Sequence, residues 1–264
     1  NNEEASQVIS SDNILIGKFF AENRTNIQWN EVPEHLKNAL IATEDKRFFT
    51  HKGYDTQSYF RVFLKSLLFR DSNSGGGSTL TQQLVKNLYG RNNYSFLSLP
   101  VNKIKELILA SRIEAIYTKE ELLLLYLNSV PFGENVYGVE TAAQRYFNKS
   151  AKKLKIEESA VLVGLLKANT YFNPRLNPQN SLDRRNLILN LMEKQHYLST
   201  QVADSLQKLP LKLDYEDVDL KATTGYFMYQ VQNKALELLE TIKINTGKAY
   251  DLKKNGLKKR GGFF

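Results

Sequence analysis

Three groups of residues in this sequence could do chemistry. Glu44 lies eight residues after Leu36 and four after Leu40, so on a helix of about 3.6 residues per turn it falls on or beside the apolar stripe. A carboxylate there is poorly hydrated. Desolvation raises a carboxyl pKa, and a general base for a sugar hydroxyl benefits from that. The charged run Glu44-Asp45-Lys46-Arg47 also describes a helix end that is simply solvated, and spacing does not separate the two. Glu106 stands in Lys103-Ile104-Lys105-Glu106-Leu107-Ile108-Leu109-Ala110, where the next turn is apolar on all sides, as a buried helix requires. Lys103, three residues earlier, would make an ordinary helical ion pair with it. Two carboxylates can serve a glycosidic centre, yet many helical proteins own two such glutamates. The third group is Gly75-Gly76-Gly77-Ser78-Thr79-Leu80-Thr81-Gln82-Gln83. Glycines directly before a helix start offer free N–H groups, hydroxyls and the positive dipole end to an anion, and Lys86 could add a full charge. No Gly-Lys-Ser/Thr follows the glycines, which excludes a nucleotide P-loop.

Helices are the elements that must position these side chains. Pro33 suits a first helical turn, and Leu36, Ala39 and Leu40 keep helical spacing up to Glu44. Asp71 to Gly77 is a Ser/Gly/Asn-rich loop feeding a helix that opens at Ser78-Thr79. Thr118 and Glu121 form a capping box for a helix through Leu127. Asn177-Pro178 reads as the cap and first turn of a helix running through Met192, and one more helix is expected around Gly225 to Leu239. Ahead of all of these, Val8 to Ser10 and Ile14 to Phe20 flank the turn-forming Ser11-Asp12-Asn13, which predicts a β-hairpin. Tyr59 to Phe69 sets Phe60, Val62, Phe63, Leu64, Leu67, Leu68 and Phe69 around Arg61 and Lys65, a mixture that suits a lipid interface or an ordinary core helix. The expected fold is mainly α with a short β start.

Composition sets the outer bounds. Hydrophobic residues at 42% and charged residues at 24% describe a globular chain and exclude wholesale disorder. The absence of cysteine removes disulfide frameworks, thiol catalysis and zinc-thiolate sites together. The formal charge is +8, but seven Lys or Arg against one Asp fall within 241–264, so residues 1–240 are nearly neutral. A continuous basic stripe, which nucleic acid requires, is missing; a short basic tail is a linker or a membrane-surface contact. No segment has the roughly 18 uninterrupted apolar residues of a membrane span, and Asn1-Asn2-Glu3-Glu4 has no signal-peptide character. An anchor, if there is one, is expected outside this chain.

Five groups of residues, in order, carry a family resemblance. Glu44-Asp45 comes with Phe48, His51, Gly53, Asp55 and Arg61. Gly77-Ser78-Thr79 comes with Gln82, Gln83, Lys86 and Asn87. Lys103, Glu106, Ala110 and Glu114 run on to Lys119, Glu121, Tyr126-Leu127-Asn128 and Gly133. Gly138 precedes Ala142-Ala143, Tyr146-Phe147 and Lys149. Leu165 through Tyr171, Asn173-Pro174 and Arg184-Arg185-Asn186 close the series. Spanning just over half the chain, they resemble the glycosyltransferase module of family 51, found in class A penicillin-binding proteins and monofunctional transglycosylases.

The resemblance implies a lysozyme-like helical core with a small membrane-associated jaw lobe at about residues 54–75. It implies an inverting polymerase at the outer face of the cytoplasmic membrane, with lipid II as acceptor and a lipid-diphosphate-linked glycan as donor. Glu44 would deprotonate the acceptor 4-hydroxyl, and Glu106 would assist near the leaving diphosphate or through a divalent cation such as Mg2+. Ser78, Thr79, Gln83, Lys86 and Lys103 would bind phosphates and position sugars. Asp45, Phe48, His51, Gly77, Gln82, Asn87 and Asn128 complete the implied substrate-binding set. No organic cofactor, metal ligand or nucleic-acid partner is implied. The implied partners are the membrane interface, other cell-wall synthesis proteins and a transpeptidase domain in the full-length protein.

Departures from the family pattern also bear on the site. Many relatives have a basic pair where this chain has Asn102-Lys103, which removes one charge from the phosphate side and makes Arg91, in the loop before it, a candidate substitute. Asn169 stands where a proline is common. Of the transpeptidase signatures, Ser-x-x-Lys occurs only as stray fragments and residues 245–247 read Asn-Thr-Gly rather than Lys-Thr-Gly. The expected organisation is therefore an N-terminal β segment at 1–30, a glycosyltransferase domain at 31–240 and a basic linker at 241–264, cut short of a second domain. Two other functions fit parts of the pattern: a lysozyme-like glycan cleaver, which needs no diphosphate-binding loop, and a non-enzymatic scaffold at the membrane surface.

Overall fold

The structure, a computed structural model, describes residues 6–9, 15–19, 23–57, 59–60, 77–215 and 234. Within them the chain is mainly helical: α1 (Glu34–Glu44), α2 (Leu80–Tyr89), α3 (Ser98–Glu114), α4 (Lys119–Ser129), α5 (Val139–Phe147), α6 (Ile156–Leu165), α7 (Pro178–Lys194) and α8 (Thr200–Gln207). The segment expected as a hairpin supplies β1 (Ser6–Ile9) and β2 (Leu15–Phe19), paired antiparallel. β3 (Asn23–Arg24) pairs in parallel with β4 (Val136–Tyr137), tying the start of the chain to the residues before α5. Most of the expected jaw lobe, including Arg61 to Phe69, lies outside the described residues. So do the helix expected around Gly225 to Leu239, apart from Lys234, and the basic tail at 241–264. Among the described residues no helix is long and apolar enough to cross a membrane.

Helices start where side chains satisfy the orphan N–H groups. Thr79 and Gln82 form a reciprocal capping box at α2, as Thr118 and Glu121 do at α4; such caps contribute about 1 kcal/mol each. Two expectations shift in detail. Pro33 is the N-cap of α1 rather than part of its first turn, because its ψ of 142° is extended and its carbonyl accepts from Leu36 and Lys37. Asn177 does precede α7, with Pro178 at the first position, but its side chain caps nothing and donates to the Thr170 carbonyl.

The core forms around α6, whose residues Ser159 to Leu165 are all buried, with α1 and α7 packed on it. Gly164 permits that approach: a Cβ there would stand 3.0 Å from Cγ of Arg184 on α7. A second set packs α2 against α3 and α4. Here α3 departs from the all-round burial expected of it. Its buried positions are Asn102, Glu106 and Ala110, whereas Leu99, Ile104 and Ile108 are 69%, 58% and 49% exposed.

After α8 the chain is strapped back onto the core. The buried Arg185 donates to the carbonyls of Gln207 and Leu209 at 3.1 and 2.7 Å, and the Tyr215 hydroxyl donates to Glu134 at 2.7 Å. Burial pushes the Glu134 carboxyl pKa up, but hydrogen bonds from Tyr215, Asn173 and Arg175 outweigh it and hold the value below that of an ordinary carboxylate. A depressed folded pKa contributes stability that is full above the unfolded value, near 4.5, and is lost as pH falls through the folded one. Urea midpoints of wild type and Glu134→Gln should therefore differ most at neutral pH and converge as the pH falls below the usual carboxylate range.

Candidate active site

A cleft of about 560 Å³ gathers the end of α1, the residues leading into α2, one side of α2 and α3, and the facing parts of α6 and α7. Of the residues singled out from sequence, Glu44, Asp45, Gly77, Ser78, Thr79, Gln82, Gln83, Lys86, Lys103 and Glu106 border it. Phe48, His51, Asn87 and Asn128 do not. Phe48 is a core residue packed edge-on against Phe49 and His51. Asn128 is buried; its Oδ1 accepts from the Ile27 N–H at 2.9 Å and its Nδ2 donates to the Ile27 carbonyl at 3.0 Å. That amide ties down the N-terminal segment. Asn87 lies on α2 away from the cleft lining, and His51 belongs to the scaffold behind it.

Glu44 is the last residue of α1, which stops as Asp45 turns to φ −155°, ψ 78°. Its half-buried carboxylate accepts a hydrogen bond from Gln83 Nε2 at 2.9 Å, and Gln83 Oε1 accepts from the Tyr126 hydroxyl at 3.1 Å. Burial first, then the Glu44 charge, hold the Tyr126 pKa well above the ordinary phenol value. The tyrosine therefore keeps its proton and the relay has one direction, from Tyr126 through Gln83 to Glu44. Gln83, expected to bind phosphate, has both ends of its amide engaged in orienting the glutamate.

A buried polar network stands behind this carboxylate. Asp45 Oδ2 accepts from the Leu80 N–H at 3.0 Å and pairs with His51 Nε2 at 2.9 Å. Glu114 accepts from the Gly53 N–H, the Thr81 hydroxyl and, at 2.7 Å, Lys119 Nζ. The Thr79 hydroxyl donates to the Gly53 carbonyl at 2.8 Å and accepts from the Gln82 N–H. Gly53 has φ +84°, and a Cβ there would stand 2.7 Å from the Ser111 backbone, so the stitch needs glycine. One consequence overturns an expectation. Protein acceptors already occupy the Leu80 and Gln82 N–H groups at the start of α2, so those groups are not open to an anion.

Cationic side chains face the cleft instead. Lys103 Nζ donates to Ser78 Oγ and to Glu106 Oε2, both at 2.8 Å, and Arg91 Nε donates to Glu106 Oε1 at 2.8 Å. Burial raises the Glu106 pKa, but the hydrogen bonds and charges of Arg91 and Lys103 together outweigh it; the net value is lowered, so Glu106 is ionised at neutral pH. Desolvation, then the charge of Arg91, lower the pKa of Lys86. Arg184 sits over the Phe172 ring at 5.5 Å, with a buried Nε that has no hydrogen-bond partner among the described residues. In all, seven Lys or Arg border the cleft against four Asp or Glu, so a nearly neutral body concentrates positive charge around one oriented carboxylate. Sequence reasoning did not single out Lys46, Arg47, Lys167 or Arg184 as cleft residues. These residues do not fit a divalent cation at Glu106: both of its oxygens are held by cationic donors, while Asp45 and Asp55 are engaged by His51 and Arg47.

The loop that delivers Arg91 is pinned by Asn102. Its Oδ1 accepts from the Asn92 N–H at 3.1 Å, and its Nδ2 donates to the carbonyls of Asn92 and Ser98 at 2.8 and 2.6 Å. The position where the basic pair is incomplete thus holds the loop that brings another cation to Glu106. Asn102→Ala should release that loop and weaken inorganic pyrophosphate binding, read by calorimetry, roughly tenfold, or about 1.4 kcal/mol. Unchanged affinity would show that the loop does not serve the cleft.

A protein-family model described as Transglycosylase matches residues 12–193. Penicillin-binding protein 1F of Bacillus subtilis (strain 168) is 38% identical over 209 residues, covering 79% of this chain and 29% of that protein. Penicillin-binding protein 1A of Rickettsia bellii is 37% identical over 236 residues, covering 89% of this chain and again 29% of the relative. A crystal structure of penicillin-binding protein 1A from Haemophilus influenzae matches with a TM-score of 0.48 and 24% identity, over 82% of this chain and 22% of that one. This chain therefore spans less than a third of the length of these relatives.

Proposed function

The chain belongs to the transglycosylase family, and from that premise we propose that it is a peptidoglycan glycosyltransferase, polymerising lipid II into β-1,4-linked glycan with inversion. Glu44 takes the proton from the acceptor 4-hydroxyl. The freed oxygen forms the new bond to the anomeric carbon of the donor. The bond from that carbon to the phosphate oxygen breaks, and its electron pair departs on undecaprenyl diphosphate. Ser78, Lys86, Arg91 and Lys103 receive the charge that grows on the diphosphate. Glu106, ionised, fixes Arg91 and Lys103 and supplies no proton. Asp45, Gly77, Thr79 and Gln82 shape the wall between the base and these cations, and no step passes through a metal.

One observation carries this reading: Gln83 on α2 orients Glu44, while Ser78, just ahead of the same helix, is bonded to Lys103 in the same cleft. A positioned base and an anion-holding cluster on one rigid element are the two parts that transfer from a diphosphate requires. The proposal extends to residues 31–240 as the catalytic domain, working at the outer face of the cytoplasmic membrane beside other cell-wall synthesis proteins. It includes a transpeptidase domain in the full-length protein, since the relatives are named for penicillin binding. The test is incubation of the chain with labelled lipid II. Long glycan made from lipid II supports the proposal; shortening of preformed glycan with no polymer identifies a cleaving enzyme and overturns it.

A further inference from the structure

A second cavity, of about 270 Å³, lies beside the cleft and plays no part in the transfer itself. Arg47 and Asp55 border both spaces, so their ion pair, with Nη2 to Oδ2 at 2.7 Å, is the wall between them. Beyond that wall the cavity is lined by Thr50, Lys52, Tyr54 and Thr56, with no aliphatic side chain among the described residues. The segment is held from behind. Thr50 Oγ1 donates to the Arg47 carbonyl at 2.9 Å, the Gln57 N–H donates to Asp55 Oδ1 at 3.1 Å, and the Gly53 N–H between them is tied to Glu114. Walls fixed in this way need no ordering when a ligand enters. Arg47 and Asp55 balance each other's charge, and the His51 ring is engaged by Asp45 and Lys119. Lys52 is exposed and has no ion pair among the described residues. One uncompensated ammonium among hydroxyls, a phenol and backbone groups is too polar a lining for hydrocarbon and suits a short polar chain that ends in a carboxylate.

We propose that this cavity receives the peptide arm of the donor sugar, with Lys52 holding its terminal carboxylate. The inference rests on the glycosyltransferase reading above. The muramyl sugar of lipid II bears the diphosphate on its anomeric carbon and, two ring positions on, a lactyl ether that carries a peptide with a free carboxylate. With the anomeric carbon between Glu44 and the bonded pair of Ser78 and Lys103, that peptide starts inside the cleft and must leave it where the diphosphate does not. It crosses the Arg47–Asp55 pair, where the Arg47 side chain, 36% exposed, can donate to peptide carbonyls. The cavity thus reads what the sugar carries, while the cleft performs the transfer.

Lys52→Glu in the 264-residue chain tests this. Since Lys52 is exposed and makes no bond to the described residues, circular dichroism should be unchanged. Two substrates are compared, lipid II with its full peptide and lipid II cut back to the lactyl amide. The ratio of their kcat/KM values should fall about fivefold in Lys52→Glu, the scale of one exposed charge pair, and less when the full peptide ends in an amide. Beside this, N-acetylmuramyl pentapeptide, which has no diphosphate, is titrated into isotope-labelled wild type, where it should shift the amide resonances of Lys52, Tyr54 and Thr56. Polymerisation of both substrates with an unchanged ratio overturns the proposal, as do amide shifts confined to the cleft. If wild type polymerises neither substrate, yet the muramyl peptide shifts those three amides and Lys52→Glu abolishes the shifts, the glycosyltransferase reading fails and the peptide site stands.

Discussion

Glu44→Gln should reduce polymerisation of lipid II by about 10²- to 10⁴-fold, the range that general-base assistance supplies, with the fold intact. The side chain keeps its length and an oxygen that can accept from Gln83 Nε2, so the relay from Tyr126 through Gln83 survives in shape. What disappears is the capacity to take a proton. Since Glu44 is half-buried at the end of α1 and has no ion pair among the described residues, the exchange should shift stability by less than about 1 kcal/mol. A steady-state rate on labelled lipid II, beside a thermal melt, separates the two effects. A loss under tenfold would remove Glu44 from the base role. Gln83→Ala gives the complementary measurement: Glu44 stays ionisable but loses its orienting donor, so the rate should fall by less than in Glu44→Gln, with the Tyr126 hydroxyl left buried and unpaired.

The parts of this site that were legible in the sequence are those with local signals. A capping box is written within four residues, so the starts of α2 and α4 could be read from Thr79 and Gln82, and from Thr118 and Glu121. Glu44, Ser78, Lys86, Lys103 and Glu106 stood out by type and by motif, and the structure brings all five to one cleft. The opposite wall was legible only as motif segments, Leu165 to Tyr171 and Arg184-Arg185-Asn186, with nothing local to say which of their side chains face the cleft. Arg184 and Arg185 are adjacent, but a helix turns by about 100° per residue, so Arg184 borders the cleft while Arg185 is buried against the strap after α8. Only tertiary packing decides which of the two faces a ligand. The Glu44-Asp45-Lys46-Arg47 run misled in a different way. It resembles a solvated helix end, yet Asp45 is buried because it meets the Leu80 N–H and His51, 35 and 6 residues away. Likewise α3 was expected to be buried all round, since periodicity registers apolar content but not which side meets the rest of the fold.

Glu114→Ala should cause the largest loss of stability. Its carboxylate, almost fully buried, is where four elements meet: Gly53 from the segment after α1, Thr81 of α2, Lys119 of α4, and α3 itself. Removing it strands an N–H and a hydroxyl and leaves the Lys119 ammonium only His51 Nδ1, at 3.3 Å, and the Phe48 ring, at 4.6 Å. Deleting one partner of a buried ion pair costs about 3–5 kcal/mol. The Lys119 side chain keeps 21% exposure, which lets solvent screen part of the stranded charge, so the lower end, about 3 kcal/mol, is expected. Against a typical total of about 5–15 kcal/mol that is a large fraction, and it should lower the melting midpoint by about 6–12 °C. Glu114→Gln keeps an acceptor for Gly53 or Thr81 and should lose less. The effect on turnover should exceed what unfolding explains, because the same carboxylate couples Gly53, nine residues after Glu44, to the start of α2, where Ser78 meets Lys103. With that tie gone, base and cation cluster move independently, and the rate should drop even at temperatures where Glu114→Ala is fully folded. A denaturant shift below about 1 kcal/mol would mean that the network is redundant, and that the two halves of the cleft are held in register by core packing alone.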